Sequence, residues 1–148
     1  MVLSYPPDID EAYDQWRASC GPCALAALLG MKVQEVRRYL PGVEQRVYCN
    51  VTQLKAALDA AGVHYRSIGP RLPKRGLVFV QWSGHDDKPI KVQYRFTHWV
   101  AIEAETVFEV NAPELVSWAA WQRVMPKLMQ EEGQGDGSYR IRAGLEVC

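Results

Sequence analysis

The chain has 148 residues, and its 17 Lys and Arg balance its 17 Asp and Glu. Nucleic-acid-binding proteins usually carry a basic excess, and disordered chains are poor in aromatic residues, so the composition argues against both classes. Seven Tyr, five Trp and three Phe indicate a packed core instead. A chain of this length buries roughly 68–70% of its unfolded surface, so we expect residues 1–148 to form one globular domain.

The amino terminus and the cysteine content suggest a cytoplasmic protein. The first 16 residues have no basic stretch followed by an apolar run, so no secretory signal is predicted. No window approaches the roughly 20 apolar residues that span a bilayer, and we expect no membrane partner. The four Cys are too few for a disulfide scaffold, so their thiols are expected to be reduced.

The first half of the chain is predicted to be mainly helical. Helices are expected over 20–29, over 33–40, and from Asn50 or Thr52 to Ala61, after a Pro-rich polar segment over 1–18. Ser19 can cap the first helix and Gly30 can end it. Asn50 and Gln53 have the spacing of a capping box at the start of the third.

The second half changes to the patterns of strands. Strands are expected over 63–68, 77–82, 92–103, 106–110 and 139–145, with a Trp-rich helix over 115–125 that Pro126 stops or kinks. Helices followed by strands in hairpin order predict an α+β fold with an antiparallel sheet.

The strongest local signal is Ser19-Cys20-Gly21-Pro22-Cys23, which has three interpretations. Cys-Gly-Pro-Cys matches the thioredoxin tetrapeptide, but that fold needs a buried strand directly before it and this chain has polar residues there. A zinc site would need a second Cys or His pair, and none follows, so no metal is predicted. The third interpretation is a nucleophilic Cys20 at a helix N-terminus, where the helix dipole favours the thiolate.

A nucleophilic Cys needs a base, and His98 is the only His at the start of a strongly apolar strand. If this strand pairs with the next one through the Ala104-Glu105 turn, Asn111 lies close to opposite His98. Asn111 can then accept a hydrogen bond from the imidazole and fix its tautomer. A hydrogen-bonded core His and a turn Asn are the alternatives for the two residues taken singly.

These motifs together resemble the papain-like cysteine peptidases. A helix-opening Cys-Gly-Pro, a later His followed by aromatic and apolar residues, and then Asn close to Pro are most similar to the compact bacterial branch that contains double-glycine leader peptidases. The resemblance covers roughly residues 13–125, and short chains of this layout resemble ones in phage and prophage genomes. It implies a papain-like fold, no cofactor, and a peptide or protein substrate. It also implies that Cys20 is the nucleophile, His98 the general base, Asn111 the orienting residue, and Gln15 an oxyanion donor beside the Cys20 backbone N–H.

Several neighbouring residues complete the predicted site. Trp16, Gly21 and Trp99 flank these positions in sequence and are candidate substrate-binding residues, although core packing is the simpler role for the tryptophans. Cys23 lies three residues after Cys20 and is a candidate redox partner that would silence the nucleophile reversibly. Two other functions remain open: a peptide- or protein-binding domain without turnover, and a thiol–disulfide oxidoreductase that uses Cys20 and Cys23.

Overall fold

A computed structural model describes residues 2–45 and 49–148 of the chain. Its α-helices are α1 (Ile9–Trp16), α2 (Cys20–Leu29), α3 (Val33–Val36), α4 (Val51–Ala60), α5 (Ile90–Gln93) and α6 (Trp118–Glu131). Its strands are β1 (Tyr65–Ser67), β2 (Arg75–Trp82), β3 (Thr97–Glu103), β4 (Thr106–Phe108), β5 (Val116–Ser117) and β6 (Tyr139–Val147). Short 3-10 turns occupy Arg37–Tyr39, Val43–Gln45 and Tyr94–Phe96.

The six strands form one antiparallel sheet in the order β1-β6-β2-β3-β4-β5. The predicted α+β class with an antiparallel sheet is therefore confirmed. The strands β3 and β4 pair with Ala101 opposite Phe108 and Glu103 opposite Thr106. This is the register that the sequence predicts around the Ala104-Glu105 turn.

Apolar side chains cover both faces of the sheet. One face, with Leu77, Phe79 and Trp99, belongs to the same buried cluster as the side chains of α2. The opposite face carries Val80 and Val100, among others, and packs against the α6 residues Trp121, Met125 and Met129. The site described below lies where elements from these two sides meet.

The helix α2 has the predicted bounds and is almost completely buried. Its residues from Gly21 to Leu28 are all buried, and those from Cys23 to Leu28 have no exposed surface, as expected of a helix with Ala, Leu and Cys on every face. Gly30 ends it in a left-handed conformation at φ 66°, which glycine adopts without steric cost. Ser19 occupies the N-cap position, but its side chain makes no capping hydrogen bond.

Three other predictions about elements need correction. The segment 1–18 contains the helix α1, which buries Ala12 and Trp16. The predicted strand 92–103 begins only at Thr97, because Pro89 opens a helical turn over 90–96. The Trp-rich helix continues through Pro126 to Glu131.

The predicted capping box of α4 is confirmed. The side chain of Asn50 accepts a hydrogen bond from the backbone N–H of Gln53, and the side chain of Gln53 accepts one from the N–H of Asn50, both at 2.8 Å.

Within the described residues, no helix is long and apolar enough to cross a membrane.

Candidate active site

Cys20 is the first residue of α2 and is half-buried. Burial alone would raise the pKa of its thiol. The positive charge of His98, a side-chain hydrogen bond with it and a backbone N–H of Trp99 outweigh that effect and lower the pKa. The N-terminus of α2 adds unpaired N–H groups and the positive end of the helix dipole. These surroundings therefore favour the thiolate form of Cys20 more than those of an ordinary cysteine do.

His98 lies in β3 and is only 7% exposed. Its Nε2 is 2.8 Å from both carboxylate oxygens of Glu109, which leaves Nδ1 for Cys20. Burial would lower the pKa of His98, but the negative charges of Glu109 and Cys20 raise it well above its ordinary value. The ring also stacks on Trp82, with 5.7 Å between centroids. These contacts favour a protonated imidazole facing a thiolate.

Glu109 directly follows β4, and none of its surface is exposed. Besides His98, the indole N–H of Trp121 donates to it at 2.8 Å, and the backbone and side-chain N–H groups of Asn111 each donate at 3.0 Å. Burial would raise the pKa of this carboxyl, but the charge of His98 and these hydrogen bonds lower it. Glu109 is thus a buried carboxylate whose hydrogen-bond needs are met.

The prediction that Asn111 contacts the His98 imidazole is therefore wrong, because Glu109 makes that contact. Asn111 supports the carboxylate, and the carboxylate contacts the imidazole. The paired part of β3 and β4 ends at Ala101 and Phe108, so the ladder never reaches Asn111. The register places Glu109 diagonally across from His98 on the same face of the sheet, within reach of a long side chain. An acidic residue between Phe108 and Val110 was the signal in the sequence that could have identified it.

The structure does not bring Gln15 into a contact with Cys20. Gln15 is exposed on α1, and its side-chain oxygen accepts a hydrogen bond from Gln34. The indole of Trp16 donates to the same Gln34 at 2.9 Å. The proposed role of Gln15 as an oxyanion donor therefore stays a prediction.

The two candidate substrate-binding tryptophans are core residues. Trp16 is 3% exposed and Trp99 is 1% exposed, so neither presents its ring to a substrate. Trp99 stacks on Phe79, and its indole N–H donates to the backbone oxygen of Cys49 at 2.7 Å. Trp99 thereby holds the chain at Cys49 beside the start of α2.

Gly21 is buried beneath that same chain. A Cβ atom at Gly21 would lie 2.6 Å from the Cβ of Cys49, closer than real Cβ contacts allow. Only glycine lets Cys49 approach the turn that carries Cys20, so Gly21 shapes the surroundings of the nucleophile by packing.

The four cysteines are all free thiols and differ in environment. Cys23 has no exposed surface, and burial together with the charges of Cys20 and Asp8 raises its pKa to about 12. Burial and the charge of Cys20 raise the pKa of Cys49 to about 12 as well. Of these three thiols around the start of α2, only Cys20 is activated.

Among residues 2–45 and 49–148, no group of three or more His, Cys, Asp or Glu is arranged to hold a metal ion.

Comparisons with protein-family models, with curated proteins and with solved structures found no significant match.

Proposed function

We propose that this protein is a cysteine-dependent hydrolase of amide or peptide bonds with a papain-like arrangement. Cys20 is the nucleophile, His98 the general base and acid, and Glu109 the residue that orients the imidazole. The observation that carries the proposal is that His98 hydrogen-bonds the half-buried Cys20 on one side and the buried carboxylate of Glu109 on the other. A nucleophile, a base and a third group that holds the base are the parts that nucleophilic catalysis requires.

The resting state of this site is a thiolate beside an imidazolium. The lowered pKa of Cys20 and the raised pKa of His98 both favour moving the proton from sulfur to Nδ1. Because the two groups titrate as a coupled pair, this state persists over a range of pH between the two steps. The thiolate is the reactive form of Cys, so no separate activation step is needed.

In the first half of the reaction, the Cys20 thiolate attacks the carbonyl carbon and a C–S bond forms. The π electrons move to the carbonyl oxygen and give a tetrahedral oxyanion. The imidazolium of His98 then donates its Nδ1 proton to the leaving nitrogen, the C–N bond breaks, and a thioester remains on Cys20. In the second half, His98 takes a proton from water, the hydroxide attacks the thioester, and Cys20 leaves as the thiolate.

The first turn of α2 supports the oxyanion. The N–H groups of Cys20 and Gly21 have no intrahelical acceptor, because the first N–H groups of a helix never do. Pro22 has no N–H, and the N–H of Cys23 already donates to the oxygen of Ser19. The Cys20 N–H is therefore the primary oxyanion donor in this proposal, with Gln15 as the side-chain candidate.

Glu109 distinguishes this site from the pattern that the resemblance implies. An Asn beside the imidazole is neutral, whereas Glu109 adds a full negative charge at 2.8 Å. A buried opposite charge stabilises the imidazolium more than a neutral amide does. The proposal therefore includes an imidazole that keeps its proton to higher pH than an Asn partner would allow.

The two alternative functions have less support. A domain without turnover has no need for a buried carboxylate that keeps an imidazole protonated beside a thiolate. A Cys20–Cys23 oxidoreductase needs a second thiol that reacts with its partner, whereas Cys23 is fully buried and its pKa is about 12. The labelling experiment distinguishes both alternatives from a hydrolase.

The test is covalent labelling of Cys20 by peptide electrophiles. Peptidyl vinyl sulfones are incubated with the full chain at pH 5 to 9, and the modified residue is located by mass spectrometry. We expect rapid labelling of Cys20 that is lost in Cys20→Ala and slowed strongly in His98→Ala. Cys148→Ala is the matched control, because Cys148 is the exposed thiol and its removal should change nothing.

The same samples separate the alternatives. Labelled protein and hydrolysis of a fluorogenic peptide library both support a hydrolase. Failure of Cys20 to react, including labelling of Cys148 instead, would overturn the proposal in favour of a binding domain without turnover. Reduction of insulin disulfides that needs Cys20 and Cys23 but not His98 would replace it with the oxidoreductase.

A further inference from the structure

One half of the strand β6 has an open edge. β1 pairs only with residues 145–147 of β6, and two further hydrogen bonds join Ile68 and Gly69 to Gly144. Residues 139–141 and Ala143 pair with β2 on one side only, and a bulge at Arg142 interrupts the register between them. Within the described parts of the chain, no hydrogen bond from another segment reaches their outward backbone groups.

The chain after β1 explains why the pairing stops. Gly69 has a φ of 70° and turns the chain away from the edge. The chain then crosses at Gly144, where an added Cβ would lie 2.3 Å from the backbone oxygen of Arg71. β1 therefore cannot extend along 139–143, and Pro70 lines the corner that is left.

The open half-edge borders a groove of about 510 Å³. Its lining consists of Pro70, Arg140, Ile141 and Arg142. The oxygen of Ser138 accepts from the N–H of Ser83, so residue 138 faces β2 and, by alternation, the backbone groups of Tyr139 and Ile141 face the groove. From Tyr139 to Ile141, before the bulge at Arg142, the groove thus offers unpaired donors and acceptors in the geometry of a sheet.

Two arginines give the groove a positive charge. Arg142 is held in place, since one of its guanidinium nitrogens donates to Gln81 at 2.8 Å and the group lies 4.6 Å from the ring centroid of Tyr94. Arg140 is exposed, and its nearest carboxylate, Asp86, is 4.0 Å away. Apart from the hydrogen bond to Gln81 and this long ion pair with Asp86, the guanidinium donors of the two arginines have no partner among the described residues.

We propose that residues 139–143 of β6 bind an extended acidic segment of a protein as an added strand. Backbone pairing supplies the recognition of an extended chain, and Arg140 with Arg142 select carboxylate side chains. Five residues of strand span roughly 17 Å, enough for a short peptide. This inference concerns binding and stands independently of the hydrolase proposal.

The open half-edge lies at the same end of the sheet as the candidate active site. Gln81 of β2 pairs with Arg140 on one side and with Thr97 on the other, next to His98. Three strand spacings, roughly 14 Å, separate an added strand outside β6 from β3. A segment bound here therefore lies at the same end of the sheet as His98.

The test measures binding of a fluorescent seven-residue peptide of alternating Glu and Val to the full chain carrying Cys20→Ala, which prevents cleavage. We expect the Glu/Val peptide to bind saturably. A peptide of the same length with Lys in place of Glu should bind at least about tenfold more weakly. Two further Glu/Val peptides carry N-methyl groups on alternate residues. One of the two should lose binding at least about tenfold and the other should not, because only alternate N–H groups of an added strand face β6.

Matched variants assign the surface. Arg140→Glu should lower the affinity for the Glu/Val peptide about fivefold or more. Arg123→Glu makes the same charge change on the exposed side of α6 and should alter that affinity less than twofold. Equal loss in both variants, equal loss with both N-methylated peptides, or no binding would overturn the proposal. Self-association of the chain that Arg140→Glu abolishes would also overturn it, since a second copy would then occupy the edge.

Discussion

At the scale of single residues, the decisive feature is a charged group with no exposed surface. An isolated carboxylate in the core would cost several kcal/mol, so Glu109 is tolerated only because His98, Trp121 and Asn111 surround it with donors. Every one of these donors lies on a different part of the chain from the nucleophile. The carboxylate therefore connects the catalytic pair to the rest of the core.

Glu109→Gln should lower the pKa of His98, because it removes the negative charge that favours the imidazolium and keeps the shape of the side chain. The measurement is an NMR titration of the His98 imidazole in the full chain. Glu105→Gln, an exposed acidic residue in the turn before β4, is the matched control and should leave the titration unchanged. Asn111→Ala should change the pKa of His98 less than Glu109→Gln does. A larger change in Asn111→Ala would mean that Asn111 is the direct partner of the imidazole.

Gln15→Ala separates oxyanion stabilisation from formation of the thiolate. If Gln15 donates to the oxyanion, the variant should lose about 10²–10³-fold in kcat on a peptide substrate. Its rate of alkylation by iodoacetamide should stay within twofold of the parent, since that reaction forms no oxyanion. Gln34→Ala is the control for disturbing the hydrogen bond between the two glutamines. An unchanged kcat in Gln15→Ala would remove Gln15 from the mechanism.

At the scale of elements, the start of α2 depends on the close approach of Gly21 and Cys49. Gly21→Ala should cost about 1–3 kcal/mol of unfolding free energy and slow the labelling of Cys20, because the new methyl group pushes the first turn away from Cys49. Urea unfolding and labelling rates measure the two effects. Adding Cys49→Gly removes the clashing Cβ and should restore both. A double variant no better than Gly21→Ala would show that another contact is responsible.

Much of this element structure could be predicted because its signals are local. The bounds of α2 follow from an apolar run between Ser19 and Gly30, and the capping box of α4 follows from Asn50 and Gln53. The register of β3 and β4 follows from the turn between them. Each of these needs only neighbouring residues, so tertiary packing did not change them.

The parts that could not be predicted depend on contacts between distant segments. Residues 92–96 look like the start of a strand, yet they form helical turns, and the side chain of the buried Gln81 donates hydrogen bonds to the backbone oxygens of Gln93 and Phe96 there. Pro126 is tolerated inside α6 because that helix is anchored on the sheet. The partner of His98 was missed for the same reason, since a diagonal contact depends on where β4 leaves the ladder.

At the scale of the whole molecule, the site joins the two sides of the sheet. Cys20 comes with α2, which packs on one face, while Trp121 comes with α6, which packs on the other. His98 and Glu109, on β3 and at the end of β4, link them. A change in the packing of either helix therefore reaches the catalytic pair through the groups that hold it.

The pH dependence of stability tests this linkage in a background of Cys20→Ala, where the thiol no longer titrates. The pKa of Glu109 is lowered in the folded state, so Glu109 stabilises the fold above about pH 4.3. This stabilisation is lost as the pH falls through the pKa that Glu109 has in the folded state. The pKa of His98 is raised, so its contribution is complete below about pH 6.5 and is lost as the pH rises through the folded pKa. The unfolding free energy of Cys20→Ala minus that of Cys20→Ala/Glu109→Gln should therefore peak between those values and shrink on both sides. Urea unfolding from pH 3 to 10 measures it, and a difference that does not vary with pH would mean that the two groups are not an ion pair in the folded protein.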